Sequence, residues 1–356
     1  MISTKRERGR SLVVTVVVVL AILLTGEVGL RLYAYYFRLP YQVLDPRLGM
    51  IRLVPGFHAS FHGRVLRINS LGFRGNEFAP EKPAGVFRIV TLGDSVTFGL
   101  FGDGCGYPDV LQRRFDEDRS RRVEVINAGV EGYDSQDVLR ILQLKLMDYS
   151  PDLITVMVGW NDLLKRDPAQ PDASVFKARL AYALYDIYLI KFWRSVVYRH
   201  TRHALFRPGM DLPPAEEAAL RTYVPLVYKE NLEKIVRTAR AGGSQVVLLA
   251  LHSLLRPGMT PDDVQKLYFP YYTYNVRKYW LLYQQYSETV RAVGRELGVP
   301  VVEPATVLRG RESELYTDTV HLDCAGHQIF GTYLHDVLSG FIEKGTVNGA
   351  IRGRRS

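Results

Sequence analysis

Residues 86–99 read VFRIVTLGDSVTFG, and this stretch decides which fold the chain adopts. Its first half, Val86–Leu92, is a short run rich in Val, Ile and Leu, which is typical of a parallel strand covered on both faces. The run ends in Gly93-Asp94-Ser95. A serine at the carboxyl end of a parallel strand lies where open α/β sheets bind their ligands. Taken alone, however, Gly-Asp-Ser is a common tripeptide that usually forms a turn.

Similar apolar runs recur along the chain and alternate with amphipathic segments. Further strands are predicted at Val123–Ala128, Leu153–Val158, Val246–Leu251 and Val299–Val302. Helices are predicted at Pro108–Asp118, Ser135–Tyr149, Leu226–Ala241 and Asn275–Leu297, and from Ala325 to about Lys344. This alternation predicts a three-layer α/β domain around a central parallel sheet.

The α/β domain is predicted over residues 86–344, with a different composition on either side. Residues 38–85 are rich in Gly, Pro and Arg, which predicts a linker with short strands. The alternation breaks at 164–222, whose centre, Phe176–Tyr198, is apolar, aromatic and basic at helical spacing. We interpret it as a helical insertion packed over the domain; a membrane-surface helix and a lid are the alternatives. Residues 345–356 form a basic tail.

Residues 1–37 predict a transmembrane anchor. Residues 12–24 read LVVTVVVVLAILL and follow four basic residues, a charge pattern that keeps the N-terminus in the cytoplasm. No small-x-small cleavage site follows, and the apolar character continues into an aromatic belt at 33–37. Glu27 and Arg31, one helical turn apart, are predicted to pair. A cleaved signal peptide is the alternative. Both interpretations place the rest of the chain outside the cytoplasm, in a periplasm.

The composition argues against two further function classes. The net charge is +9, but basic residues are mixed with acidic ones, and dense basic runs occur only at the two ends. A nucleic-acid binder gathers its charge on one element, so no nucleic-acid partner is expected. The two cysteines lack the spacing of a zinc site. The cysteines therefore indicate no zinc site, and no cofactor is expected.

A serine nucleophile requires a base that is oriented by an acid. Of the eight histidines, only His321 has an aspartate three residues before it, Asp318, in a predicted loop between the last strand and the last helix. A short Asp-x-x-His loop lets the carboxylate hold the imidazole that receives the serine proton. Ser95, His321 and Asp318 are therefore the predicted catalytic residues. The other seven histidines are interpreted as surface or packing residues.

Acyl transfer also requires donors that face the developing oxyanion. Gly129 follows the second predicted strand and offers a backbone N–H, and Asn161 follows the third and offers a side-chain amide. Each residue alone is an ordinary turn former. Together with Ser95 and His321, these residues follow successive strands in one consistent order. The combination is therefore specific, although each residue alone is not.

These segments together resemble the SGNH (GDSL) hydrolases over residues 86–343. The resemblance is carried by Gly-Asp-Ser95, Gly129, Gly-x-Asn161-Asp162 and Asp318-x-x-His321. It implies a flavodoxin-like sheet of strand order 2-1-3-4-5 and an oxyanion hole formed by the Ser95 N–H, the Gly129 N–H and the Asn161 amide. It also implies esterase, lipase, thioesterase or carbohydrate-deacetylase activity without a metal. The segment Asn69–Gly75 is similar to membrane-anchored bacterial members.

Cys105 follows Ser95 by ten residues and Cys324 follows His321 by three, so the fold brings both cysteines near the rim of the site. In an oxidising compartment they form a disulfide; alternatively, each is buried singly as a thiol.

The function expected from these features is hydrolysis of an ester, with a short acyl group on a cell-envelope glycan as the substrate. An O-acyltransferase that modifies an extracytoplasmic polysaccharide is one alternative, and a lipase or thioesterase is another. A non-catalytic glycan-binding domain is the alternative from a different class. The expected partners are the ester substrate, either polysaccharide or lipid, and the membrane.

Overall fold

The computed structural model describes residues 2–37, 41–45, 50–61, 64–99, 104–118, 121–165, 189, 208–270 and 272–343. The chain forms two compact units, residues 1–40 with 169–207 and residues 41–168 with 208–356. The predicted helix at Phe176–Tyr198, apart from Leu189, and the basic tail at 345–356 lie outside the described residues.

The described part of the first unit consists of helix α1 (Ile2–Phe37) and Leu189. The section Val13–Leu32 of α1 is 20 residues long, has a mean hydropathy of 2.5 and is not buried, so it is long and apolar enough to cross a membrane. Arg31 Nε lies 2.7 Å from Glu27 Oε1, which confirms the predicted pair. The side chains at 33–37, predicted as an aromatic belt, lie outside the described residues.

The second unit begins with two antiparallel hairpins. Strand β1 (Gln42–Asp45) pairs with β2 (Met50–Leu53), and β3 (His58–Phe61) pairs with β4 (Arg64–Arg67). Met50 and Leu53 are 3% exposed and belong to the same hydrophobic core as the central sheet. The described residues of 41–85, which lie in the predicted linker 38–85 with short strands, therefore contribute to the core of the second unit.

The central sheet has five parallel strands. These are β5 (Phe87–Gly93), β6 (Val123–Gly129), β7 (Leu153–Met157), β8 (Gln245–Leu249) and β9 (Val301–Val302). Their order is β6-β5-β7-β8-β9, which confirms the implied order 2-1-3-4-5. Every residue of β5 and β7 is buried, as expected for central strands covered by helices on both faces.

Helices flank the sheet in two groups. They are α2 (Ser95–Phe98), α3 (Tyr107–Asp118), α4 (Ser135–Leu144), α5 (Trp160–Lys165), α6 (Pro214–Arg221), α7 (Leu226–Ala241), α8 (Pro261–Lys266), α9 (Val276–Leu297), α10 (Ala305–Leu308), α11 (Glu312–Leu315) and α12 (Cys324–Glu343). Helix α3 contacts α12, while α7 contacts both α4 and α9. The predicted three-layer arrangement is confirmed.

The predicted helix at Ser135–Tyr149 and the predicted strand at Val299–Val302 are shorter than expected, each for a local reason. The helix predicted to reach Tyr149 ends at Leu144 and resumes as a 3-10 turn, because Lys145 leaves helical geometry with φ −145°. The strand predicted from Val299 begins only at Val301. The Val299 N–H instead donates to Gly294 O at 2.8 Å and closes the end of α9.

Candidate active site

Ser95 begins α2 directly after the central strand β5. The preceding residue, Asp94, caps this helix, since its carboxylate accepts the Val96 N–H at 2.9 Å. Ser95 is the first residue of the helix, so its own N–H has no intrahelical acceptor. The turn therefore presents both the hydroxyl and the backbone N–H of Ser95 at the carboxyl edge of the sheet.

The structure brings the three predicted catalytic residues within hydrogen-bonding distance. Ser95 Oγ lies 2.8 Å from His321 Nε2, and His321 Nδ1 lies 2.7 Å from Asp318 Oδ2. A neutral imidazole that donates from Nδ1 to the carboxylate accepts the serine proton at Nε2. This arrangement permits proton transfer from Ser95 to His321.

Backbone donors hold Asp318 in this orientation. Its Oδ1 accepts the N–H groups of Val320 at 2.8 Å and His321 at 2.9 Å. The loop closes on itself, because the Thr317 N–H donates to His321 O at 2.9 Å. Asp318 and His321 therefore form a locally determined unit, which explains why an Asp-x-x-His spacing identified it from sequence.

The loop that carries Asp318 and His321 is also hydrogen-bonded to the residues that follow β8. The sequence did not predict this contact. Ser253 Oγ donates to Thr319 O at 2.8 Å, and the Leu254 N–H donates to the same oxygen at 2.9 Å. His252 Nδ1 lies 2.9 Å from the Tyr316 hydroxyl. The only sequence signal for these residues was that they directly follow a predicted strand. They position the loop that carries His321.

The charges around the site shift the pKa values of His321 and Asp318 in opposite directions. Burial opposes the charge on His321, but the hydrogen bond and negative charge of Asp318 outweigh burial and raise the pKa of His321. Burial also opposes the charge on Asp318, but the His321 hydrogen bond and the backbone donors lower its pKa. Two other carboxylates, Asp94 and Glu131, add to the rise in the His321 pKa. Burial raises the pKa of Asp94 itself to about 6.

The other described buried histidines at this end of the sheet differ from His321. Burial lowers the pKa of both His252 and His327 to about 3, so these imidazoles stay neutral. They are 1% and 2% exposed, in agreement with their interpretation as packing residues.

Asn161, at the start of α5, faces the loop that follows β6. One of its two amide hydrogens is donated to Tyr133 O at 2.8 Å, which leaves the second N–H for another acceptor. The neighbouring Asp162 is fully buried and accepts both the Ser135 N–H at 2.8 Å and the Ser135 hydroxyl at 2.6 Å. These bonds fix the position of Asn161 relative to α4.

Gly129 does not have the geometry predicted for it. The strand β6 extends through this residue, and its N–H donates to Asn127 Oδ1 at 3.0 Å, so this donor is already engaged. A Cβ at this position would collide with the backbone of Phe98. The glycine is therefore required for close packing of α2 against β6, and the structure does not support its role as an oxyanion donor.

Gly132, three residues later, has the properties that Gly129 lacks. It is exposed, has φ +84°, and a Cβ there would meet no atom within 4 Å. No acceptor for its N–H is present in the described part of the chain. Its carbonyl accepts the Lys165 ammonium at 3.0 Å, and the following residue, Tyr133, accepts from Asn161. The signal in the sequence was the glycine itself, in the loop just beyond the strand.

The structure joins Cys105 and Cys324 by a disulfide with a Cα–Cα distance of 5.2 Å. Cys324 is the first residue of α12 and follows His321 by three residues. The bond therefore connects the segment after Ser95 to the segment after His321. Among the described residues, no cluster of three or more His, Cys, Asp or Glu side chains forms a metal site.

Loss of this disulfide is expected to destabilise the fold. The bond closes a loop of 219 residues, for which the chain-entropy account gives about 5 kcal/mol, and loss of a native disulfide typically costs about 2–5 kcal/mol. The free energy of unfolding of Cys105→Ser/Cys324→Ser, measured in urea, should fall by that amount. Reduced wild-type protein serves as the control and should match the variant. Equal stability of the variant and the oxidised wild type would contradict the bond.

Comparison with known proteins agrees with this fold. The model of the GDSL-like lipase/acylhydrolase family matches residues 91–329, more than half of the chain. A chain with this fold and this match is an ester-hydrolysing serine hydrolase. It belongs to the GDSL-like lipase/acylhydrolase family. Among curated proteins, none matches the chain.

Several solved structures are similar to this chain. An aryl esterase of M. smegmatis is 15% identical, with a TM-score of 0.45, over 71% of this chain and 99% of that one. An acetyl-xylooligosaccharide esterase from Geobacillus is 15% identical, with a TM-score of 0.44, over 76% and 97%. A lipase/acylhydrolase from Enterococcus faecalis is 18% identical, with a TM-score of 0.43, over 71% and 96%. The activities in these names are properties of those proteins.

Proposed function

We propose that the chain hydrolyses short-acyl esters through an acyl-enzyme on Ser95, with His321 as the general base and Asp318 as the residue that orients it. The observation that carries this proposal is the continuous hydrogen-bonded series from Ser95 Oγ to His321 Nε2 and from His321 Nδ1 to Asp318. Because Asp318 is itself held by two backbone N–H groups, the series is rigid before substrate arrives.

In the proposed reaction, Ser95 Oγ attacks the ester carbonyl carbon while its proton passes to His321 Nε2. The resulting tetrahedral intermediate collapses, and the alcohol leaves with the proton that His321 returns. Water then attacks the acyl-enzyme with His321 again as base, which releases the carboxylic acid and restores Ser95. The hydrogen bond and negative charge of Asp318, which raise the pKa of His321, stabilise the imidazolium that forms in both steps.

We assign the oxyanion donors to the Ser95 N–H, the Gly132 N–H and the free amide hydrogen of Asn161. Gly132 replaces the predicted donor Gly129, whose N–H is bound to Asn127. The contact between Asn161 and Tyr133 O supports this assignment, because it places the amide next to Gly132. Donors held in advance stabilise negative charge that develops only in the transition state.

Removal of the Asn161 amide is expected to lower kcat about a hundredfold to a thousandfold, with a smaller effect on KM. The reason is that the amide interacts with the oxyanion more strongly than with the ground-state carbonyl. Steady-state kinetics of Asn161→Ala on a nitrophenyl acetate measure this effect. Asn76→Ala is the matched control, because this asparagine is exposed and accepts from Asn69 through its backbone carbonyl only. An unchanged kcat in Asn161→Ala would contradict the assignment.

We further propose that α1 anchors the protein as a single membrane span, with the hydrolase domain on the periplasmic side. The apolar section Val13–Leu32 and the basic residues ahead of it support this orientation. The disulfide supports an oxidising compartment. In that compartment the proposed substrate is a short acyl ester, such as an O-acetyl group, on a cell-envelope glycan.

The proposal is tested with the purified full-length chain in detergent and a generic acetyl ester. We expect release of acetate without any added acceptor, and a burst of alcohol equal to the enzyme concentration if deacylation limits turnover. Turnover only when a glycan is added, with the acetyl group appearing on that glycan, would instead identify an acyltransferase. No release under either condition would contradict both activities.

A further inference from the structure

A carboxylate beside the proposed active site has no part in the reaction described above. Glu131 lies in the loop between β6 and α4, which is fastened at both ends to site elements. At one end, the Val130 N–H donates to Gly93 O at 3.2 Å, two residues before Ser95. At the other end, Tyr133 O accepts the Asn161 amide. The loop that carries Glu131 is therefore fastened both to the strand that precedes Ser95 and to Asn161.

The segment that follows the anchor fixes this carboxylate. Glu131 Oε2 accepts the Tyr41 hydroxyl and also Gln42 Nε2, the latter at 3.3 Å. The Tyr41 ring stacks on Phe98, at 6.0 Å between ring centroids and 13° between planes. Because Phe98 belongs to the same short helix as Ser95, these contacts attach Tyr41 and Gln42 to the wall of the site.

The second oxygen of Glu131, Oε1, is not held by Tyr41 or Gln42. In the ranges that the structure describes, no group donates to Oε1. Burial raises the pKa of Glu131, and its charge contributes to the raised pKa of His321. Glu131 thus presents an oriented carboxylate oxygen, with no protein donor among the described residues, in the loop that also carries Gly132 and Tyr133. A polar group held in this way at the edge of a site typically fixes the orientation of a ligand.

We propose that Glu131, Tyr41 and Gln42 form a subsite that binds a hydroxyl group of the alcohol part of the ester, and that the substrate is therefore an ester of a polyol such as a sugar. This inference rests on the proposed function. A sugar hydroxyl both donates and accepts hydrogen bonds, and the three side chains offer both kinds of partner side by side.

A cationic alcohol fits the same residues less well. A quaternary ammonium group, as in choline, neither donates nor accepts a hydrogen bond, so it forms none with the Gln42 amide or the Tyr41 hydroxyl. The positive charge of Arg74 also acts on Glu131 and would repel a second cation. The mixed donors and acceptors therefore favour a neutral hydroxyl over an ammonium.

The test compares two acetyl esters that differ in their hydroxyl groups: a mono-O-acetyl methyl glucoside and cyclohexyl acetate. The kcat/KM for each is measured on the alkaline plateau of each variant's pH profile, where protonation of the His321 imidazole no longer limits the rate. In Glu131→Gln, the ratio of kcat/KM for the sugar ester to that for cyclohexyl acetate should fall about tenfold to a hundredfold. Tyr41→Phe, which removes the hydroxyl that holds Oε2, should change the ratio in the same direction by a smaller factor.

Glu230→Gln is the matched control, since this glutamate lies on α7 with 62% of its side chain exposed and should leave the ratio unchanged. An equal fall for both esters in Glu131→Gln would overturn the inference, because Glu131 would then act through His321 or through folding. Unchanged kcat/KM for both esters in Glu131→Gln would also overturn it, as would a larger loss with acetylcholine than with the sugar ester. If wild-type protein hydrolyses neither ester, the proposed function fails and the subsite fails with it.

Discussion

Replacement of Ser95 by alanine is expected to lower kcat for ester hydrolysis by about five to six orders of magnitude. Alanine provides no nucleophile, so no acyl-enzyme forms, and only binding and the oxyanion donors remain to accelerate attack by water. The substitution removes one oxygen atom and should leave the fold intact. Hydrolysis of a nitrophenyl acetate, followed together with the thermal unfolding temperature, separates loss of chemistry from loss of structure.

Ser70→Ala provides the matched control for this experiment. Ser70 is an exposed serine whose hydroxyl pairs with Glu77, and its replacement should leave kcat unchanged. Residual activity of Ser95→Ala above about a hundredth of the wild-type value would show that a different group is the nucleophile.

Replacement of Asp318 by asparagine is expected to lower kcat at neutral pH by about ten thousandfold. The amide presents a donor where the carboxylate accepts the His321 Nδ1–H, so it favours the tautomer that cannot receive the serine proton at Nε2. Asp336→Asn, an exposed aspartate beside His335, is the control. A loss of less than about tenfold in Asp318→Asn would contradict the orienting role.

The same variant changes the pH profile in a defined direction. His321 must be neutral to accept a proton, so wild-type kcat/KM falls as the pH drops through the His321 pKa, which lies above the ordinary value of 6.5. Loss of the Asp318 charge lowers that pKa, so the acidic limb of the profile should move to lower pH. The limb is measured as kcat/KM from about pH 5 to pH 9.

The strands of the sheet and the proposed catalytic residues followed from local patterns, whereas the strand order was implied by the resemblance to the SGNH (GDSL) hydrolases. The strands of the central sheet are short apolar runs, and parallel strands bring their carboxyl ends to one edge, so residues after successive strands meet there. Ser95 and the Asp318–His321 pair were recognisable because each is specified within a few residues of chain. Such local signals can be read from the sequence without knowledge of how the side chains pack.

Features that depend on register and on long-range packing were not predictable in the same way. Gly129 was predicted as an oxyanion donor because it follows an apolar run. However, β6 continues through it, and its N–H donates to Asn127 Oδ1. Tyr41 and Gln42 belonged to a predicted linker, and nothing local indicates that they contact Glu131, about ninety residues away. The hydrogen bond from Ser253 Oγ to Thr319 O likewise joins distant parts of the chain.

The most direct test of the central claim is covalent labelling with a serine-directed fluorophosphonate, followed by peptide mass spectrometry. The account predicts one adduct, on Ser95, that forms quickly in the wild type and far more slowly in His321→Ala. An adduct on a different serine, or no adduct with folded wild-type protein, would contradict the claim that His321 activates Ser95.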